Sequence, residues 1–328
     1  MAPTGSVIDW LLDSDPAIRW QVMRDLLDAP EAEWQAERAK VETEGWGARL
    51  LSHQDEDGQW AGGAFMPAGY TEESWRELGQ AWTATCFSLQ QLYDFGLDPS
   101  SARARRTVDL IAKNSRWDHD GQPFWDGEVE ECINARTVMV GVYFGVDVSP
   151  IVERLLGERQ PDGGWNCERC NGSHRSSFHT TINVLEGLLE YEKAKGATAK
   201  THAARAAGEA YLLERGLFRR LGTGSPVDER YLRFLNPNRW RYDVLRGLEY
   251  FRAASLATGT APDPRLREAI DHIRSRQSDD GTWPLDWTLK GPVWFEMEVP
   301  GQPSRWITLR ALRVLRWWDA AGDGHRPS

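Results

Sequence analysis

The chain has 328 residues, a formal net charge of −10 and a sequence pI near 5.3. That acidity gives nucleic acid no basic stripe to bind, and at a mean hydropathy of −0.56 no apolar run reaches the roughly 18–20 residues of a membrane span. Four cysteines are too sparse for a disulfide scaffold, and the opening residues MAPTGSVIDWLLDSDP lack the basic start of a secretory signal, so the expectation is a cytosolic chain.

Seventeen tryptophans, most in similar local contexts, make an internal repeat the first reading to try. In chain order, an apolar helix is predicted from Pro16 (PAIRWQVMRDLL), then a charged one over 31–53, then the loop QDEDGQW from Gln54 to Trp60. A second apolar helix follows from Gly79 (GQAWTATCFSLQQL), with a charged helix over 101–115 and a degenerate loop, WDHDGQPFW, from Trp117 to Trp125. The third begins at Glu131 (ECINARTVMVGVYF); after it come a charged helix over 149–160 and the loop QPDGGW from Gln160 to Trp165. A fourth starts at Ser176 (SSFHTTINVLEGLLEY) and a fifth at Asn236 (NPNRWRYDVLRGLEYF). A charged helix over 263–277, the loop QSDDGTW from Gln277 to Trp283 and a last apolar helix from Gln302 (QPSRWITLRALRVLRWW) complete the series. Each loop carries Asp-Gly or Gly-Gly, because glycine tolerates the positive φ that such a turn needs. Trp20, Trp82, Trp240 and Trp306 stand near helix starts, and Phe178 takes that place in a fifth.

Six apolar inner helices with five outer ones between them, at a period of roughly 45–65 residues, form a series of α-hairpins that stacks openly or closes into a ring. The inner helices are apolar enough to be packed on both sides, and the stretches 55–77, 222–237 and 278–302 are long enough to rim a cavity. The expected class is all-α: an α/α toroid of about six hairpins around a central cavity. It should fill residues 1–320 as a single domain, with 321–328 as a flexible tail. Inner helices are expected to start near 16, 80, 131, 177, 239 and 304.

The Gln-x-x-x-Gly-x-Trp loops, at Gln54/Gly58/Trp60 and Gln277/Gly281/Trp283 and one residue shorter at Gln160/Gly163/Trp165, resemble the QW motifs of squalene-hopene and oxidosqualene cyclases. Through its repeat the resemblance covers most of the chain, which is about half a triterpene cyclase and so resembles one toroid. QW loops tie hairpins together; they speak for fold more than for reaction. A second resemblance lies in PDGGWNCERCNGSHRSSFHTTINVLEGLLEY, which is similar to a segment of protein prenyltransferase β subunits. In that family a histidine here matched by His179 ligates zinc with an Asp-x-Cys pair, matched by Glu130 and Cys132. The resemblance implies a three-ligand zinc set with an open fourth position. The departure is Glu130, one methylene longer than the family's Asp.

A rival set, Cys167, Cys170, His174 and His179, has the spacing Cys-x2-Cys-x3-His-x4-His of a compact structural zinc site and competes for His179. Trp82, Phe178, Trp240, Tyr242 and Trp306 are candidates to line an aromatic pocket that holds a hydrophobic substrate or steadies a carbocation. Ordinary core packing is the alternative for each. The Asp-x-Asp-Asp acid of class II cyclases is absent, as is the Asp-Asp-x-x-Asp magnesium motif, which leaves Asp243 or Glu130 as candidate acids. Arg239, Arg241 and Arg305 are candidates for an anionic head group, or else for rim salt bridges.

The leading expectation is thus an enzyme that cyclises or transfers an isoprenoid-like substrate. The alternatives are a non-catalytic binding module on the same fold and a zinc enzyme with an unrelated substrate.

Overall fold

A computed structural model describes residues 5–323. Among the described residues there are fourteen α-helices and five short 3-10 turns, and no strand, only isolated bridges within loops. The helices are α1 (Gly5–Leu12), α2 (Pro16–Asp25), α3 (Glu31–Ala39), α4 (Gly45–Ser52) and α5 (Glu72–Leu78). Next come α6 (Thr85–Phe95), α7 (Ala102–Asn114), α8 (Glu131–Tyr143), α9 (Ser149–Gly157) and α10 (Phe178–Lys195). The last four are α11 (Ala199–Leu213), α12 (Val244–Thr258), α13 (Arg267–Ser275) and α14 (Arg305–Asp323). The all-α class stands, and no helix of the described residues is long and apolar enough to cross a membrane.

The charged and apolar helices differ in what they bury. In the charged series, α7 sinks only Ala104, Thr107 and Ile111, one stripe at helical spacing. In the apolar series, α8 buries nine of its thirteen residues, including Asn134 and Thr137. Caps set the starts: Asp15 accepts from the Ala17 amide ahead of α2, Ser101 from Ala104 ahead of α7, and Ser177 from Thr180 ahead of α10.

Two inner helices start five residues later than expected. Gly79 sits at φ +92° and the chain stays irregular to Ala84, so Trp82 precedes α6. Arg239 lies in the left-handed region at φ +53° and Asp243 is the cap of α12, so Arg239, Trp240 and Tyr242 all precede that helix. Helices α1 and α5 lie in stretches to which no helix was assigned, and α11 takes the place of the fifth outer helix, for which no bounds were given. At the other end α14 continues through Asp323, inside the stretch expected to be a tail; residues 324–328 lie outside the described residues.

The described chain divides into two compact units of non-contiguous segments. One comprises Met1–Glu37, Glu209–Thr288 and Glu298–Ser328; the other comprises Arg38–Gly208 and Leu289–Met297. In the central unit α4 packs on α6, α6 on α8 and α8 on α10. The α8–α10 pair is close because Gly187 faces α8: a Cβ there would lie 2.6 Å from the Ala135 carbonyl oxygen. Segment 289–297 belongs to this unit, with the Trp82 indole donating to the Lys290 carbonyl (3.0 Å) and Trp294 stacked on His53. In the terminal unit α1 packs on α2, α2 on α14, α14 on α12 and α12 on α13.

A charged network fills the terminal unit where α2, α12 and α14 meet. Arg310 and Arg313 both bond Glu249, and Arg313 also reaches Asp25. Burial alone would push the Glu249 carboxyl up, but Arg310 and Arg313 together outweigh it and hold it below the usual carboxylate range. Burial and the neighbouring Arg313 bring Arg252 down to about 10.

The three Gly-Trp loops are built alike. Trp60, Trp165 and Trp283 are fully buried, and each indole donates to the carbonyl ten residues back: Leu50 (2.9 Å), Leu155 (2.7 Å) and Ile273 (2.7 Å). Each tryptophan amide donates to a threonine hydroxyl of the following inner helix, Thr85, Thr181 or Thr308 (3.1, 3.1 and 3.0 Å). Gly58, Gly163 and Gly281 all take positive φ, as the turns require. Gln54 and Gln277 donate from Nε2 to the carbonyls of Gly58 and Gly281 (3.0 Å each), whereas Gln160, in the shorter loop, makes no such bond.

Candidate metal centre

The N-termini of α8 and α10 lie side by side, and the loop that follows α9 passes across them. Trp165 anchors that loop, which runs so close to α10 that a Cβ on Gly164 would lie 2.4 Å from the Thr181 hydroxyl. Asn166 then caps a short 3-10 turn, Cys167–Asn171, by accepting from the Glu168 amide (3.0 Å). The turn delivers Cys167 to the start of α8.

There Glu130, Cys132 and Cys167 bring a carboxylate oxygen and two sulfurs within 4.8 Å of one another. The Cys132 amide donates to Cys167 Sγ (3.3 Å), and the Thr180 hydroxyl, one turn into α10, does the same (3.4 Å). Thr180 Oγ1 also accepts from the Cys167 amide (3.3 Å), and the Cys132 thiol lies 3.5 Å from Glu130 Oε2. Cys132 is buried and Cys167 half-buried, so the group sits at the surface of the packed helices and not in their core.

The surroundings are acidic. Glu128 accepts from the Glu130 amide (2.7 Å), and the buried Glu131 pairs with Arg169 (2.8 Å). Burial, aided by the carboxylates of Glu128 and Glu131, raises the Glu130 carboxyl despite the thiols that donate to it. The neighbouring Cys167 sulfur, burial and the Glu130 carboxylate push the Cys132 thiol well above its ordinary value. Removing the protons from these neighbouring groups together is unfavourable unless a cation shares the resulting charge.

The donor chemistry fits zinc. Two sulfurs bound at about 2.3 Å in a tetrahedron stand about 3.7 Å apart, so the observed spacing asks only for a small closing movement. The cluster keeps Glu130 and Cys132 of the expected set and has Cys167 where His179 was expected. His179 stands on the first turn of α10, half-buried, with its carbonyl accepting from Asn183 (2.6 Å), and is not in the group. Neither His174 nor Cys170 joins it; both are exposed, so the rival loop set is not assembled among the described residues.

The other candidates fall into two groups. Trp82 and Phe178 are buried in the same unit as the cluster, Trp82 edge-on to Phe87. Arg239, Trp240, Tyr242, Asp243, Arg305 and Trp306 belong to the terminal unit. Tyr242 is core, donating to the Leu217 carbonyl (2.7 Å). Arg305 lies over Trp10 and donates to the carbonyls of Trp10 and Asp13, tying α14 to α1.

Asp243 is wholly engaged as a cap. One oxygen accepts from the Arg246 amide (2.8 Å) and the other from the Leu235 amide (3.4 Å) and the Asn238 side chain (2.7 Å). Burial raises its carboxyl, with Arg310 acting against the rise. Asp243→Asn is expected to lower stability by about 1–3 kcal/mol, since an amide nitrogen cannot accept the bonds that the second oxygen receives. An unchanged melting temperature with lost reaction would restore Asp243 as an acid.

No protein-family profile matches the chain, and no curated protein matches it. The crystal structure of a protein from Actinoplanes is similar at 18% identity, covering 96% of this chain and 99% of that one, with a TM-score of 0.47. A likeness that distant carries no argument about fold or function.

Proposed function

We propose that this chain is an α/α toroid enzyme with a zinc centre at Glu130, Cys132 and Cys167, acting by prenyl transfer on a hydrophobic, isoprenoid-like substrate. The observation that carries the proposal is the meeting of those three donors at the paired starts of α8 and α10. Three ligands leave a fourth position open, as catalytic zinc sites do.

Support for the ring comes from the glycines of the Gly-Trp loops. Gly58 faces Leu110 of α7, and Gly163 faces Ala207 of α11: each abuts the next outer helix. Gly281 faces Val7 of α1, so the first helix takes the place of the next outer helix after the last repeat. The packing of α2 on α14 repeats the same succession among inner helices.

Transfer is favoured over cyclisation because no candidate acid is free for protonation. Asp243 is spent as a cap, and Glu130 stands among thiols. A bound zinc supplies a Lewis-acidic position for an acceptor such as a thiol. The chain's own contribution is to hold the donors: the Cys132 amide and Thr180 hydroxyl orient the Cys167 sulfur, and Glu130 supplies the oxygen.

Metal analysis of the purified protein tests the centre. About one zinc per chain is expected, lost in Cys132→Ala and Cys167→Ala and kept in His179→Ala and Cys170→Ala. Zinc that survives in Cys132→Ala would overturn it. The substrate class is tested separately, with labelled allylic diphosphates and a thiol acceptor. A zinc-loaded protein that transfers nothing leaves the centre standing and removes the isoprenoid reading.

A further inference from the structure

A third cysteine stands close in sequence to one of the two at the centre. Cys170 is exposed and lies three residues after Cys167 on the same 3-10 turn. A 3-10 helix has three residues per turn, so side chains at i and i+3 share a face. The Cys170 thiol accordingly folds back along the turn, 3.4 Å from the Cys167 carbonyl oxygen. The sulfur of Cys167 in turn lies within 4.8 Å of that of Cys132. None of the four cysteines is joined in a disulfide. Three thus form a series running from solvent to the buried start of α8.

We propose that Cys170, Cys167 and Cys132 form a thiol relay that carries oxidising equivalents from a low-molecular-weight disulfide to an internal Cys132–Cys167 disulfide. The Cys170 thiolate attacks one sulfur of the external disulfide, forming a mixed disulfide and releasing one external thiol. Cys167 attacks the Cys170 sulfur, releasing the second external thiol. Cys132 attacks Cys167, forming the inner bond and returning Cys170 to a thiol. In sum, two protein thiols are oxidised, one external disulfide is reduced to two thiols, and the two protein protons pass to the leaving thiolates.

Three features favour this order. Cys170 alone of the three is exposed, so it meets the oxidant first. The Thr180 hydroxyl and Cys132 amide hold the middle sulfur in place. The turn lies in a largely exposed loop, 166–176, outside the packed core. Where the zinc reading of the preceding section holds, on which this part alone rests, the inner disulfide removes two of three donors and excludes the metal.

The test uses reduced, metal-free full-length protein incubated with oxidised glutathione and mapped by mass spectrometry. A Cys132–Cys167 cross-linked peptide is expected, with two thiols lost per chain and Cys170 free. In Cys170→Ser the same product should form about tenfold more slowly, because the exposed entry thiol is gone. An unchanged rate in that variant, a product that stops at glutathionylated Cys170, or four surviving thiols would each overturn the relay. Zinc-loaded protein should resist oxidation, and oxidation of both cysteines with zinc still bound would sever the link to the metal. A chain that forms the bond but never binds zinc supports the relay and refutes the zinc reading alone.

Discussion

Trp283→Ala is expected to cost about 3–5 kcal/mol of stability, the range for emptying a fully buried tryptophan site. Trp283 is fully buried, and its indole and amide bind the Ile273 carbonyl and the Thr308 hydroxyl. Alanine keeps the amide bond, leaves the Ile273 carbonyl with only the Arg276 amide as donor and opens a cavity between α13 and α14. Trp283→Phe retains most of the volume and loses only the indole bond, so its cost should be nearer 1 kcal/mol. Denaturant midpoints for the two variants check this. If the alanine variant lost less than about 1 kcal/mol, the loops would not be the ties between hairpins that their bonds indicate.

Glu249→Gln should have a comparable effect through charge instead of volume. It leaves Arg310 and Arg313 facing a neutral group in a buried site, and removing one partner of such a cluster costs about 3–5 kcal/mol. The pH dependence has a definite sign. The folded-state carboxyl lies below its unfolded value, so its contribution is complete above the unfolded value and is lost as pH falls through the folded one. The gap between wild type and variant should therefore be flat near neutrality and narrow below about pH 4. A gap that widened on acidification would reverse the assignment.

The repeat made much of this fold legible. Glycine-tryptophan loops mark the end of α4, α9 and α13 because only a residue tolerant of positive φ can turn the chain there and abut the next helix. Periodicity located α8 and α10 to within a residue or two. It failed at Trp82 and Trp240, where aromatic residues that look like a first helical turn instead stand in the preceding loop. For Trp82 the deciding facts were distant: it is bonded to residues 290 and 292, more than two hundred positions away.

The candidate site was legible in two of its three donors. Glu130 and Cys132 lie two residues apart at a helix start, a local pattern. Cys167 comes from another loop, and its place depends on how Trp165 seats that loop against α10. Its neighbour Thr180, within the same segment as His179, was the available signal. Hydroxyl-to-sulfur contact is a tertiary fact that spacing alone does not reveal.

The division of the chain bears on how it is made. The terminal unit joins Met1–Glu37 to segments that begin at Glu209 and end at Ser328. On the ribosome, α1 and α2 therefore emerge well ahead of α14, their packing partner, and wait for it through the synthesis of all the helices between. At about 5–20 residues per second that interval is roughly 15–60 seconds. The central helices α4 to α10 meet their neighbours as they emerge, and lack only the short 289–297 segment. The faces that α1 and α2 will bury against α14 thus stay uncovered through that interval.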